Sequence, residues 1–374
     1  MWAPEPLGTN DVLILGGVIA GIGSFDAPAG WPIEVIDLAG AILAPGLIDA
    51  HTHLTGGGGE SGPETKVPAV PFSAFTTAGV TTAIGLLGTD CRTRGMAELL
   101  AGARALERLG LTALCYTGGY EVPPVTLTGS ARGDIVHVDR IVGIGETAIS
   151  DHRSSQPTYD EIVRLASDAH VGGLLTGKAG VLHLHLGDGE RGLAYVRRAL
   201  AETEVPARVF HPTHLNRNAR LWSEALHLSP RGLTLDLTAF PPDPGEPDAA
   251  ECIAEYLAGG NDPERLTMSS DGGGCLPVFD RDGVMTHMDV GASASLLQAV
   301  GRARANGVSF MGALATVTSN VARLFRLHDR GQIAPGSRAD VVVLESDLRV
   351  RTTIANGRVL VRDGVAVVKG PFER

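Results

Sequence analysis

Two histidines, His51 and His53, stand one residue apart at the end of an apolar run, Pro45-Gly46-Leu47-Ile48-Asp49-Ala50-His51-Thr52-His53. On a strand, residues i and i+2 face the same side. Both imidazoles could therefore grip one metal ion. A bare His-x-His also fits a strand carrying two surface histidines. Further donors change the balance: Glu146, His185 within Leu182-His183-Leu184-His185-Leu186-Gly187-Asp188, His214 within Pro212-Thr213-His214-Leu215-Asn216-Arg217-Asn218, and Asp271 ahead of Gly272-Gly273-Gly274. Four imidazoles and two carboxylates make a nitrogen and oxygen donor set suited to zinc or a similar divalent ion. Six donors exceed the need of one tetrahedral zinc. Two ions, bridged by Glu146 and a hydroxide, use them all; a single ion, or one strong and one weak site, is the rival arrangement. Each donor alone has a plainer reading. An Asp before glycines commonly serves a turn, and His183 is read as a packed strand histidine.

Donors so far apart in the chain meet only if the fold brings them together. From residue 46 onward, β-rich runs alternate with helical patterns. Leu47–His53, Thr81–Leu86, Thr112–Thr117, Ile141–Ile149, Val181–Leu186, Arg208–His214, Leu233–Thr238 and Leu266–Ser270 read as strands. Ala97–Leu109, Ala194–Ala201, Ala219–Leu226 and a last stretch over Gly312–Phe325 read as helical. Eightfold alternation points to a (β/α)8 TIM barrel, whose catalytic groups sit at the C-terminal strand ends. All six donors fall at such ends. Shorter strands precede and follow: Asp11–Leu15, Val18–Ile22, Ile33–Leu38, then Asp340–Leu344, Val350–Ala355 and Arg358–Val361, with turns at Asn356-Gly357 and Asp363-Gly364. The division expected is a catalytic barrel over residues 45–330 and a small β-sandwich domain composed of residues 1–44 and 331–374. The glycines of Gly16–Gly21 have the wrong spacing for a dinucleotide fingerprint. The run Gly56–Gly59 directly follows the histidines. It reads either as a linker or, preferred here, as a loop where backbone approaches a ligand closely.

Composition narrows the partners. The net charge of −11 comes with no basic block, which argues against nucleic acid and anionic membranes. Cys91, Cys115, Cys252 and Cys275 form no CxxC pair and suit a reducing cytoplasm. The start, Met1-Trp2-Ala3-Pro4-Glu5-Pro6, has neither the charge nor the apolar core of a signal peptide. No apolar run is long enough to span a bilayer.

On these motifs the chain resembles the amidohydrolase superfamily and, within it, the isoaspartyl (β-aspartyl) dipeptidases. The selective segments are Thr55-Gly56-Gly57-Gly58-Gly59-Glu60-Ser61-Gly62-Pro63, Gly85–Asp90, Thr117-Gly118-Gly119-Tyr120, Ser150-Asp151-His152-Arg153-Ser154 and Thr213–Asn218. The resemblance implies a homo-oligomer, as large as an octamer, that hydrolyses dipeptides. It implies that His51 and His53 hold one metal and His185 and His214 the other. Asp271 then binds the first metal and acts as general base and acid, while Tyr120 polarises the scissile carbonyl. Glu60 would pair with the substrate α-ammonium, Gly58 and Thr89 would lie near the aspartyl α-carboxylate, and Arg153 and Arg217 would hold the C-terminal carboxylate. The roles are chemically coherent. Metal lowers the pKa of water from 15.7 to roughly 7, a nearby carboxylate relays the proton, and two arginines clasp a carboxylate through forked bonds.

Two residues depart from the family pattern. Glu146 stands where the family has a bridging carboxylated lysine, and none of Lys66, Lys178 and Lys369 is near it in sequence. Its shorter arm requires the strand end to move inward or bulge. Cys275 replaces a serine expected to touch the substrate carboxylate, and a thiol is a weaker donor. Other readings are a cyclic amide hydrolase, an N-acyl amino acid deacylase, or a metal-free scaffold. The first two would not require Glu60 together with Arg153 and Arg217.

Overall fold

The computed structural model describes residues 2–3, 5–26, 30, 32–241, 246–279 and 284–374. Eight parallel strands succeed one another: β1 (Leu47–Thr52), β2 (Val80–Gly85), β3 (Thr112–Thr117), β4 (Ile141–Ile149), β5 (Val181–Leu186), β6 (Phe210–Thr213), β7 (Leu235–Thr238) and β8 (Leu266–Ser269). Strands β1 to β6 form one sheet in sequence order, and β7 pairs with β8. Two seams close the ring. Leu215 N donates to Asp236 O (3.4 Å) between β6 and β7, and His53 N donates to Gly272 O (2.8 Å) between β1 and the chain beyond β8. The result is the expected (β/α)8 barrel, with strand limits moved by one or two residues.

Strand β5 shows why the sequence folds this way. Leu182, Leu184 and Leu186 pack outward against Ile162, Leu165 and Ala166 of the helix Tyr159–Thr176. The alternate residues, His183 and His185, therefore point into the barrel. Each fully buried leucine contributes about 1.5–3 kcal/mol, so a one-residue slip that exchanged the two faces is strongly disfavoured. The helix is fixed at its start by a capping box: Thr158 N donates to the Glu161 carboxylate (2.7 Å) and Glu161 N donates back to Thr158 Oγ1 (3.4 Å). Loss of such a cap costs about 1 kcal/mol. Gly177, left-handed at φ 75°, ends it. Below the strand ends Ile48, Ala50, Ile84, Tyr116, Val181 and Phe325 fill the barrel floor.

Beside the barrel lies a five-stranded antiparallel sheet. Ile42–Pro45 pairs with Val341–Leu344, followed by Val350–Ala355, Arg358–Arg362 and Val365–Ala366. The hairpin Asp11–Leu15 with Val18–Gly23 packs on it through Ile19, Leu43 and Val343. Residues 1, 4, 27–29 and 31, included in the expected small domain, lie outside the described residues.

Two sequence readings are corrected. Ile33–Leu38 forms no strand; Ile36 and Leu38 pack onto the small sheet as extended chain, so their alternation reports burial rather than a ladder. The single helix expected over Gly312–Phe325 is two, Phe310–Ala315 and Ser319–Leu324. Between them Thr316 O accepts from Met268 N and Val317 O from Ile48 N, both at 2.9 Å, tying this break to β8 and β1. Cys275–Phe279 pairs with Met285–Val290 as an antiparallel hairpin shortly after Asp271, an element the sequence reading did not assign.

Candidate metal centre

Six donors converge at the C-terminal mouth of the barrel. His51 belongs to β1 and His53 follows it; Glu146 lies in β4 and His185 in β5; His214 and Asp271 come just past β6 and β8. His214 and Asp271 take φ values of 60° and 52°, uncommon for residues with a side chain. Glu146 sits on a β-bulge: Leu182 pairs with Ile144 but Leu184 with Thr147, so β4 carries one extra residue there. That is the strand distortion a shortened bridging arm demands. Gly145 permits it, because a Cβ at that position would stand 2.7 Å from His183 Cβ.

The separations are informative. His53 Nε2 lies 3.1 Å from Asp271 Oδ1 and 3.5 Å from Glu146 Oε1. His51 Nε2 lies 3.3 Å from Asp271 Oδ1 and 3.5 Å from Glu146 Oε2. Glu146 Oε2 is also 3.1 Å from His185 Nδ1 and 3.6 Å from His214 Nε2. Donors on bonds of about 2.1 Å around one cation stand about 3.0–3.4 Å apart. His51 Nε2 and Asp271 Oδ1 are buried and make no hydrogen bond among the described residues. Leaving such atoms unmatched is costly, and a divalent cation satisfies both. The donor set fits metal.

Electrostatics agree. Burial works against a charged His51, yet Glu146 and Asp271 outweigh it and lift the imidazole to about 9. Burial likewise opposes ionisation of Asp271 and Glu146, but the surrounding histidines hold both carboxyls well below the usual range. His214 is pushed down to about 3, chiefly by burial. A cavity of this kind draws positive charge, from protons or from cations that displace them.

The remaining candidates line the rim. Tyr120 places its hydroxyl 2.9 Å from His185 Nδ1 and 3.2 Å from Nε2. Burial pushes that phenol well above 10, with Glu146 and Asp151 adding to it and Arg153 and Arg217 opposing. Thr89 Oγ1 donates to Glu60 Oε1 (3.0 Å), and Arg153 Nη1 lies 3.6 Å from the same oxygen. Cys275 is half-buried; burial, then Glu60, pushes its thiol up to about 12. Gly58, at φ 77°, brings its backbone so close that a Cβ would meet Thr65 O at 2.5 Å and Cys275 Cβ at 3.4 Å. Arg217 lies 6.0 Å from the Phe240 ring and 4.0 Å from Asp188 Oδ2.

Several participants escaped sequence reading. Asp151 accepts from Arg153 Nε (3.0 Å) and Nη2 (2.7 Å) and meets His185 Nε2 at 2.9 Å. Arg153 is thus anchored to the carboxylate that also meets His185 of the donor cluster. Asp49, wholly buried, accepts from Ser270 N (3.1 Å) and Ser293 Oγ (2.9 Å), joining β1 to the residues around Asp271. His183 is packed, as expected, on Tyr116, but it is also hydrogen-bonded to His51 at 2.8 Å. The spacing His183-Leu184-His185 carried the same i, i+2 signal as His51-Thr52-His53.

Comparison with known proteins adds the following. The sequence profile of the amidohydrolase family matches residues 42–360. The structure of a β-aspartyl dipeptidase from Fervidobacterium islandicum, solved in complex with β-Asp-Leu dipeptide, superposes with a TM-score of 0.93 at 40% identity, covering 100% of this chain and 97% of that one. D-hydantoinase from Bacillus sp. AR9 matches at TM-score 0.63 and 18% identity over 96% of this chain and 93% of that one, a likeness of fold. Adenine deaminase 2 of Carboxydothermus hydrogenoformans is 25% identical over 370 residues, 97% of this chain and 56% of that protein. The chain spans about half the length of the adenine deaminases it matches.

Proposed function

Because this chain belongs to the amidohydrolase family, and within it to the β-aspartyl dipeptidases, we propose that it hydrolyses β-aspartyl dipeptides at a two-cation centre. The observation that carries the substrate class is the charge arrangement on the rim. An anionic side chain, Glu60, and a cationic one, Arg153, lie 3.6 Å apart beside Tyr120 and the donor cluster. A dipeptide brings an ammonium and carboxylates to such a rim, and a neutral heterocycle does not.

Divalent cations held by His51, His53, Glu146, His185, His214 and Asp271 supply acidified water and an electrophile for the carbonyl; zinc is our choice. The protein's own residues do the rest. Asp271 remains a carboxylate at neutral pH and takes a proton at Oδ2, the oxygen not turned to the donor cluster, to return it to the leaving amine. Tyr120 keeps its proton far above neutral pH and donates it as a hydrogen bond to the substrate carbonyl oxygen. Glu60 receives the α-ammonium group. Thr89, Gly58 and Cys275 border the aspartyl end, and Arg153 and Arg217 hold the distal carboxylate. Burial of the centre strengthens each of these interactions.

The reading extends to residues 45–330 as the catalytic unit, with 1–44 and 331–374 as its β appendage. It also includes a cytoplasmic setting, supported by four free thiols, and a homo-oligomer, supported by the family resemblance. Among the described residues no helix is long and apolar enough to cross a membrane. The deciding assay compares β-Asp-Leu with α-Asp-Leu in the presence of zinc, with a chelator control. Cleavage of the β-linked dipeptide alone is expected. A folded, metal-loaded protein that cleaves neither would overturn the proposal. Glu60→Ala should abolish turnover with metal retained; undiminished turnover of an amide would favour a cyclic amide hydrolase or deacylase instead.

A further inference from the structure

A chain of hydrogen bonds leaves the donor cluster and runs through the barrel interior. His51 Nδ1 meets His183 Nε2 at 2.8 Å. His183 Nδ1 meets His211 Nδ1 at 2.9 Å, with the His211 carbonyl at 3.1 Å. His211 Nε2 meets Thr267 Oγ1 at 3.0 Å, and that hydroxyl donates to Asp236 Oδ1 at 2.6 Å. Asp236 Oδ2 accepts from Thr213 Oγ1 (2.7 Å) and Ser269 Oγ (2.6 Å). His51, His183, His211, Thr267 and Asp236 all have 0% exposure, so no water intervenes from bulk.

A metal-facing Nε2 at His51 and a carboxylate at Asp236 set the direction from both ends. With Nε2 of His51 turned to the donor cluster, its proton sits on Nδ1 and is donated to His183 Nε2. An accepting Nε2 leaves His183 with a single proton, on Nδ1, to donate onward. At the far end Asp236 takes the Thr267 hydroxyl proton, so Thr267 Oγ1 must accept from His211 Nε2–H. His211 Nδ1 is then bare and receives the His183 proton. Thr267 Oγ1 also lies 3.3 Å from Leu235 O, a longer contact that the 2.6 Å bond to Asp236 outcompetes. With His51 Nε2 committed to metal and Asp236 a carboxylate, this assignment satisfies every link.

We propose that His183, His211, Thr267 and Asp236 form a positioning relay that locks His51 in the tautomer presenting Nε2 to metal and transmits the Asp236 charge to that ligand. Carboxylates behind metal-bound histidines commonly act by direct contact, as Asp151 does for His185 at 2.9 Å. Here three intervening groups extend the same effect across the barrel, and chains of polarised hydrogen bonds strengthen one another in a low-dielectric interior. The proposal rests on the cluster being a metal centre but not on the identity of its substrate.

The test uses the full-length protein and measures zinc affinity by competition with a chromophoric chelator. Thr267→Val keeps the side-chain shape and removes the hydroxyl; Thr267→Ser keeps the hydroxyl and removes a methyl group. The relay predicts that Thr267→Val weakens zinc at the His51 position about tenfold, with altered imidazole nitrogen shifts for His51 and His183, while Thr267→Ser stays within about twofold of wild type. Asp236→Asn, read the same way, serves if Thr267→Val does not fold. Unchanged zinc affinity in both Thr267→Val and Asp236→Asn overturns the relay. Equal weakening by the Ser and Val variants also overturns it, since packing alone is then responsible. A wild-type protein that binds zinc and cleaves no dipeptide defeats the functional proposal and leaves the relay intact.

Discussion

Replacing Glu146 by glutamine tests the two-cation arrangement most directly. Its two oxygens lie on different sides: Oε1 is 3.5 Å from His53 Nε2, and Oε2 is 3.1 Å from His185 Nδ1, 3.5 Å from His51 Nε2 and 3.6 Å from His214 Nε2. Glutamine fills the same space but offers one oxygen and one amide NH2. Its NH2 cannot ligate and its neutral amide oxygen is a poor zinc donor, so whichever way the amide turns neither cation position keeps a carboxylate from residue 146. The side holding His51, His53 and Asp271 retains three protein donors, enough for a catalytic zinc. The side holding His185 and His214 has only two without the bridge, too few. The variant should therefore bind one zinc per chain where the wild type binds two. Removing one group that stabilises developing charge costs about 10²–10³ in kcat, or about 2.7–4 kcal/mol, and we expect β-Asp-Leu turnover to fall by that range. Metal content after gel filtration, measured by plasma mass spectrometry, and kcat on the same sample provide the check. A glutamine variant retaining two zinc ions and more than a tenth of wild-type kcat would refute the bridge.

Two further changes probe the surroundings. Asp151→Asn should weaken zinc at the His185 position about tenfold and also raise KM, because the variant releases Arg153 from its paired bonds; chelator competition and steady-state kinetics report the two effects separately. Asp49 is raised from 3.8 to about 6 by burial, so folding favours its protonated form, and the stabilisation present at low pH is lost as pH rises through 6. Ionisation then costs about 3 kcal/mol. In chelator-treated protein, Asp49→Asn should match wild-type stability near pH 4 and exceed it near pH 8. Equal urea midpoints for the two proteins at pH 8 would show that Asp49 carries no such cost.

The barrel and the donor cluster were legible because each depends on a local pattern. Strand β5 shows it in six residues: leucines at alternate positions mark the face packed on helices, and the histidines between them must face the interior. The candidate donors likewise announce themselves by position at strand ends. The failures have physical causes as well. Ile36 and Leu38 are apolar because they cover the small sheet, and burial without a ladder leaves the same alternation in the sequence as a strand. The break at Thr316–Thr318 follows from carbonyls claimed by Met268 and Ile48, partners about 50 and 270 residues away that no window could contain.

The least legible residues are those whose role is to hold another side chain. Asp151 stands 34 positions before His185, and Asp49 stands 221 before Ser270; both lie in motifs, but nothing in those motifs names the side chain each one meets. His183 is different. If His51 and His53 share a face because they are two residues apart, then His183 and His185 must share one too, and with His185 at the mouth His183 lies one layer below it. Eight strands around one axis bring the lower layer of β5 close to that of β1, where His51 exposes Nδ1. The alternation rule that locates a candidate donor therefore also locates its buried partner, provided it is applied to every strand together rather than to each motif alone.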